Sequence, residues 1–540
     1  MHSTTRAPSP TPVHSHRRSP QQGEAQRLDA FSSQGLVRLV QQPRTAVRLL
    51  ARPGDGARGA VPVAVAAGGC TELGVLPGIY PEWLGDRGFL QAHRVRYPYV
   101  CGEMANGISA VDLVVAAAAG GVLGLFGAAG LDPRRVEEAV LALGRRCGDA
   151  PWGVNLIHSP AEPQAETDTV ELLLRHRVPC VSASAFMELT APVVRCAAAG
   201  LRTDRAGGVV RARRVFAKVS RPETARMFMS PAPRELLDDL VRDGRISSQE
   251  ARLAESVPVA EDVTVEADSG GHTDNQSLTA LLLRILQLRD VMERAHGHRV
   301  RVGAAGGLGT PDAVAAAFAM GAAYVVTGSV NQTAVEAGLS PQAKQLLAAA
   351  DVDEVTMAPS ADMFELGARV QVLSKGTMFA VRAQRLHELY RRHSGLDELS
   401  PRDVAWLERD VLRAPVGEVW RETERYWQRR DPGQCARAAT DAKHRMALLF
   451  RWYLGQSTRW AIEGVADRRA DYQLWAGPAL GAFNSWVSGS FLAASRERTA
   501  AQIACNLLEG AAVVTRAQQF RTCGLPVPDA AFRFVPRPLA

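Results

Sequence analysis

With 540 residues and 46% apolar content, the chain is long enough for one large domain plus a smaller one. Its formal charge of +7 is concentrated at the start: residues 1–60 hold nine arginines against Glu24, Asp29 and Asp55. The remainder is near neutral, which argues against a nucleic-acid surface. The eight cysteines form no C-x-x-C pair and no metal-type spacing, so reduced thiols and no metal site are expected.

Residues 1–30 are rich in Pro, Ser, His, Gln and Arg and lack an apolar h-region. A disordered tail is expected there, with no secretory signal and a cytoplasmic location. Residues 31–95 form a lead-in segment. Residues 113–131 are uncharged for 19 positions, long enough to span a bilayer, but Gly120, Gly121, Gly124, Gly127 and Gly130 interrupt them. The pattern fits a buried helix followed by a buried strand, and no membrane association is expected.

From Arg96 onward eight short apolar runs recur: RYPYVC (96–101), GVLGLF (121–126), WGVNLI (152–157), PCVSAS (179–184), RVFAKV (214–219), VTVEAD (263–268), VRVGAA (300–305) and AYVVTG (323–328). Most are followed by helix-like segments. Continuous apolar strands alternating with helices predict a parallel sheet covered on both faces. Eight units in about 245 residues fit a (β/α)8 TIM barrel over residues 96–345, with a doubly wound open sheet as the alternative. The connection after the fifth strand is unusually long, at about 220–262. It contains PRELLDDLVRDG, read as a helix ending at Gly244, then Ser247 and Glu250 at capping-box spacing. A helical lid is expected from this insertion. Residues 346–525 read as a helical C-terminal subdomain, including FELGARVQVLSKGTMFAVRAQRLHELYRRH, and 526–540 as a tail. Seven of the nine tryptophans follow residue 400, where aromatic packing of helices onto the barrel explains them better than a partner surface.

Barrel function sits at the C-terminal strand ends. In RVGAAGGLGTPDAVAAAFAMGAAYVVTGS the seventh strand ends at Gly306-Gly307, Thr310 can cap the next helix, and Pro311 suits its first position. The eighth strand ends at Gly328-Ser329. Glycines that admit close backbone approach, ahead of a helix N-terminus, predict a phosphate site, although tight turns alone could use the same glycines. No Walker lysine motif and no G-x-G-x-x-G between strand and helix is present. A single terminal phosphate suits FMN, its ring lying across the strand ends near Met104, Asn155 and Lys218. Lys218 stands inside an apolar strand, where a cation needs an anionic partner. The sixth strand runs into EADSGGH, in which Gly270 and Gly271 are expected to pass close to the flavin. His272 would stand over its reacting face as a proton donor or acceptor. Glu266 ends the alternating run and keeps a modest claim to the site. Asp268 and Asp274 default to solvated or structural roles, and Cys101 to packing.

These motifs resemble the PfaD-like trans-acting enoyl reductases of polyunsaturated-fatty-acid and trans-acyltransferase polyketide synthases. Those are FMN-dependent barrels related to nitronate monooxygenases. The resemblance runs from about residue 90 to 523 and rests on YPYVCGEMANGISAVDLV, PWGVNLIHSPAEP, FAKVSRPETARMFMSPAP, EADSGGHTDNQSLTALL, the Gly306–Ser329 segment, APSADMFELGARVQVLSKGTMF and LLFRWYLGQSTRWA. It implies flavin-ring contacts from Met104 and Ala105 and binding by Asn155 and Lys218. It further implies phosphate binding by Gly306, Gly307, Gly328 and Ser329, with His272 as the active-site histidine. Glu266, Gly270, Gly271 and Ala305 complete the expected cofactor set. The implied activity is reduction of acyl carrier protein-bound enoyl thioesters by NADPH or NADH through FMN. The carrier protein is then the partner, and a homodimer is compatible. Related nitronate monooxygenases carry a shorter E-A-G-G-H loop; EADSGGH adds two residues, which counts against transferring their nitroalkane chemistry. The alternatives are an FMN oxidase of that kind, or a non-catalytic docking subunit of a synthase.

Overall fold

The computed structural model describes residues 29–158 and 163–539. The expected tail, residues 1–30, lies almost wholly outside the described residues. Two compact units are present, Met1–Tyr80 with Ala512–Phe534, and Pro81–Ala511 with Val535–Ala540.

In the first unit, strands Val47–Ala51, Arg58–Pro62 and Thr71–Leu76 form an antiparallel sheet with Val47–Ala51 in the middle. Arg516 is fully buried there and donates to the carbonyl of Pro43 at 3.1 Å and to that of Pro77. Burial pushes its guanidinium down to about 10.

The second unit contains a closed barrel of eight strands: β1 (Tyr99–Cys101), β2 (Leu123–Phe126), β3 (Trp152–Ile157), β4 (Cys180–Ser184), β5 (Arg214–Val219), β6 (Asp262–Glu266), β7 (Arg301–Ala305) and β8 (Val325–Thr327). Every neighbouring pair is parallel, and β8 closes on β1 with Val326 opposite Val100. These are the eight apolar runs. Residues 113–131 are helix Val111–Ala119 followed by β2. Among the described residues no helix is long and apolar enough to cross a membrane.

The N-terminal end of the barrel is plugged. Phe89 stacks on Tyr324 at 4.4 Å between ring centroids and meets Phe216 edge-on. Around this plug, Asp262 is fully buried and accepts from Arg301 at 2.6 and 2.8 Å, with His93 Nε2 at 2.9 Å. Gly303 is required because a Cβ there would lie 2.3 Å from the Tyr324 ring.

The insertion after β5 is helical: Pro222–Met229, Arg234–Arg242 and Ser248–Ala254. Ser247 and Glu250 form the expected capping box, and Gly244 takes φ +64° just past the second helix. Leu237, Leu240, Ile246, Ala251 and Ala254 pack on Val194, Ala198 and Leu201, which fastens these helices to the barrel's flank beside helix Ala191–Ala198.

One expectation is corrected. The stretch read as helix from FELGARVQVL onward begins as a β-hairpin, strands Val355–Pro359 and Arg369–Leu373; helix starts only at Phe379. Gly367 at φ +75° breaks any helix, and Val370, Gln371 and Val372 favour extended backbone between neighbours. Beyond it the chain is helical, around a core including Phe364, Phe379, Phe450, Tyr453, Trp420 and Trp427, against which Trp406, Trp452, Trp460 and Trp475 pack. Each such buried side chain is worth about 1.5–3 kcal/mol.

Candidate active site

Lys218, near the end of β5, lies between two carboxylates: Nζ is 3.1 Å from Glu266 Oε1 on β6 and 3.4 Å from Glu103 Oε1 at the exit of β1. Burial pushes the ammonium down, but Glu266 and Glu103 outweigh it and the pKa lies above its ordinary value. The charge demand was legible in the sequence; Glu103 as a second partner was not, since it sits one residue before the Met104-Ala105 turn and carries no signal of its own.

Glu103 also accepts from Ser182 Oγ at 3.1 Å, tying β4 into the cluster. Asn155, buried on β3, donates Nδ2 to Ser184 Oγ at 2.7 Å and to the Ser182 carbonyl at 3.2 Å. Met104 is buried and Ala105 half-buried in the turn after β1, where Asn106 and Gly107 take positive φ. Ala305 packs inside the barrel. Cys101 is fully buried, its thiol pushed up to about 12 chiefly by burial, as a packing residue requires.

His272 belongs to a two-residue strand, Gly271–His272, that pairs antiparallel with Gln371 and Val370 of the hairpin. Its Nε2 lies 3.0 Å from Ser360 Oγ and 3.2 Å from Asp362 Oδ1. Burial pushes the imidazole down, but Asp362's hydrogen bond and charge, helped by Glu266, hold its pKa above the ordinary value; Lys218 opposes them. The Asp362 carboxyl is correspondingly depressed: burial raises it, and the bond from His272 overcomes that. Neither Ser360 nor Asp362 was singled out from the sequence. Both stand in APSADMFELG, beyond the eight strands, where only the resemblance marked the motif.

The glycines divide into two kinds. At Gly271 and Gly307, with φ +83° and +72°, and at Gly328, a Cβ would meet nothing within 4 Å. At Gly270 and Gly306 the close approach is by the protein's own backbone. A Gly270 Cβ would stand 2.8 Å from Ala476 N and Cα, and a Gly306 Cβ 2.7 Å from the Asp268 carbonyl oxygen. Behind the open pair, helix Pro311–Ala319 begins with Thr310 capping Ala313 N at 3.3 Å and Pro311 in its first turn. Residues 475–479, not anticipated from the sequence, lie against the same loops. Gly477 N donates to Ser329 Oγ at 3.3 Å, Gln332 Nε2 donates to the Trp475 carbonyl, and Gly309 abuts the Ala479 carbonyl.

Asp274 and Asp268 are structural, as their default role required. Asp274 accepts from Ser220 Oγ at 2.6 Å and Arg221 Nε at 3.3 Å, while Asp268 accepts from Asn275 Nδ2 at 2.8 Å. Among the described residues no cluster of three or more His, Cys, Asp or Glu side chains could hold a metal.

The residues fit FMN in this respect: open space at Gly307 and Gly328, beside a capped helix N-terminus, would accommodate a phosphate, and Ser329 Oγ could donate to one while accepting from Gly477 N–H.

Residues 89–374 match the family model for nitronate monooxygenase, and residues 393–472 match the inserted helical domain of [acyl-carrier-protein] S-malonyltransferase. One of the polyunsaturated fatty acid synthase proteins of a Thraustochytrium species is 43% identical over 465 residues, 84% of this chain and 31% of that protein. The polyketide biosynthesis protein PksE of Bacillus subtilis is 40% identical over 443 residues, 82% of this chain and 57% of that protein. The chain thus spans less than two thirds of the length of each of these curated relatives. The crystal structure of the enoyl reductase domain of MlnA, from the macrolactin biosynthesis cluster of Bacillus amyloliquefaciens, superposes with TM-score 0.78 at 34% identity. It covers 82% of this chain and 99% of that domain.

The barrel and its mouth therefore define an oxidoreductase of the FMN-barrel type. The chain belongs to the nitronate monooxygenase family, as a PfaD-like, enoyl-reductase-type member related to polyketide and polyunsaturated fatty acid synthase proteins.

Proposed function

We propose that this protein is an enoyl reductase acting in trans on acyl carrier protein-bound enoyl thioesters, with FMN as cofactor and NADPH or NADH as reductant. The observation that carries the reading is the match, at 34% identity, to 99% of a domain described as an enoyl reductase. Relatives named for polyunsaturated fatty acid and polyketide biosynthesis support a carrier-bound substrate.

Gly307, Gly328 and Ser329 hold the phosphate, while Met104, Ala105, Asn155 and Lys218 flank the ring. When bound, FMN supplies hydride exchange between the nicotinamide and the enoyl β-carbon. The chain supplies the rest. Lys218, fixed between Glu103 and Glu266, keeps a positive charge at the mouth. His272 in its protonated form donates a proton to the α-carbon as charge grows on the thioester oxygen. A cleft beside the loop is lined by Ser220, Arg221, Asp274, Gln276 and Arg284; with Arg221 paired to Asp274, Arg284 is the cation it would present to the phosphorylated arm of a carrier protein.

The test is incubation with NADPH and carrier proteins bearing enoyl chains, read by mass spectrometry. A gain of two hydrogens supports the reading; flavin-loaded protein that leaves every chain unreduced overturns it. The match of residues 89–374 to nitronate monooxygenase favours a second reading, an FMN oxidase, which requires oxygen-dependent consumption of a nitronate. A non-catalytic docking subunit would purify without a flavin spectrum.

A further inference from the structure

We infer that Asp362 is a positioning residue that claims Nε2 of His272, so that Nδ1 is the atom from which this histidine gives up its proton. The inference rests on the enoyl reductase reading for the proton's destination, but not for the pairing itself.

The geometry is specific about which nitrogen is committed. Nε2 faces Asp362 Oδ1 at 3.2 Å and Ser360 Oγ at 3.0 Å, and the Ser360 hydroxyl itself bonds to Asp362. A carboxylate can only accept, so Nε2 keeps its hydrogen in both charge states of the ring. Among the described residues Nδ1 has no hydrogen-bond partner, and 46% of the His272 side chain is exposed. The free edge of the ring is therefore Nδ1.

The backbone fixes this arrangement. His272 pairs with Val370, and residues 360–362 follow directly after strand Val355–Pro359, which pairs with the same strand. The sheet holds imidazole and carboxylate in register, as the orienting acid of a histidine-based catalyst requires. The charged groups acting on the ring come from three elements: Asp362 beside the hairpin, Glu266 on β6 and Lys218 on β5.

In the step proposed, the C–H bond at the α-carbon forms with the proton carried on Nδ1. The electron pair of the N–H bond stays on Nδ1, and the ring is left neutral with Nε2–H still bonded to Asp362. The one proton the reduction consumes is then taken up from bulk solvent onto Nδ1, restoring the charged ring. Hydride for the β-carbon comes from the reduced nicotinamide.

The test uses flavin-loaded protein labelled with 15N-histidine, with His272→Gln assigning the resonances, titrated as wild type, Asp362→Asn, Asp362→Glu and Ser360→Ala. The expected neutral form is the Nε2–H tautomer. Asp362→Asn lowers the titration midpoint of His272 and cuts kcat about ten-fold or more, with KM changed less than about two-fold. Asp362→Glu recovers most of both. A neutral ring protonated on Nδ1, or a midpoint unmoved in Asp362→Asn, overturns the inference. If the midpoint falls as expected in a protein that reduces no enoyl thioester, the assignment of Asp362 stands and the substrate reading falls.

Discussion

Lys218 and Glu266 face each other from adjacent strands of the barrel, Nζ 3.1 Å from Oε1. With Glu103 at 3.4 Å the ammonium separates two carboxylates that would otherwise repel. Lys218→Met removes the charge between them. The variant is expected to lose about 3 kcal/mol of stability. Adding Glu266→Gln should restore part of it, a coupling that urea denaturation of the single and double variants measures.

The raised pKa of His272 gives turnover a pH signature. In the proposed role the donor is the protonated ring, so activity is expected to be full below that pKa and to fall as pH rises through it. Because the pKa lies above the usual histidine value, the fall comes at higher pH than a free imidazole would give. A pH profile of kcat checks the sign. His272→Ala should lose about 100-fold in kcat while retaining flavin.

Gly328 and Gly270 make opposite predictions. A Cβ at Gly328 meets no atom within 4 Å and its φ is −117°, so Gly328→Val should fold with its melting temperature nearly unchanged. Its side chain would occupy the proposed phosphate cradle, and flavin should be lost on gel filtration. Gly270→Ala instead drives a methyl to 2.8 Å from the Ala476 backbone and should destabilise by about 1–3 kcal/mol.

At the other end of the barrel, burial raises the Asp262 carboxyl, but His93 and Arg301 outweigh it and hold its pKa below the ordinary range. Stability from this group is present above its unfolded pKa and is lost as pH falls through the folded one. Asp262→Asn leaves the half-buried Arg301 without its anion and should cost about 3 kcal/mol, read by thermal melts at neutral pH. The difference from wild type should shrink in acid.

The barrel was legible because strands buried on both faces are continuously apolar, and that signal does not depend on distant partners. RVFAKV and WGVNLI coincide with β5 and β3. The glycines were legible as positions, yet their reasons were not: Gly270 answers to Ala476, some 200 residues away. Glu103, Ser360 and Asp362 escaped because a polar residue in a loop declares its partner only in three dimensions. ARVQVL misled because Val372 stands seven residues before Phe379 and so in helical phase with Ala383 and Leu386, a coincidence of a strand followed by a helix.

The pairing of His272 with Val370 bears on how such enzymes can be recombined. The histidine comes from the loop after β6, while its carboxylate partner comes from a hairpin encoded about 90 positions later, beyond the last barrel strand. A transplant ending at residue 345 carries all eight strands and the glycines at their ends but leaves His272 without Asp362. One that continues through Leu373 moves His272, Ser360, Asp362 and the hairpin that pairs them as a cassette.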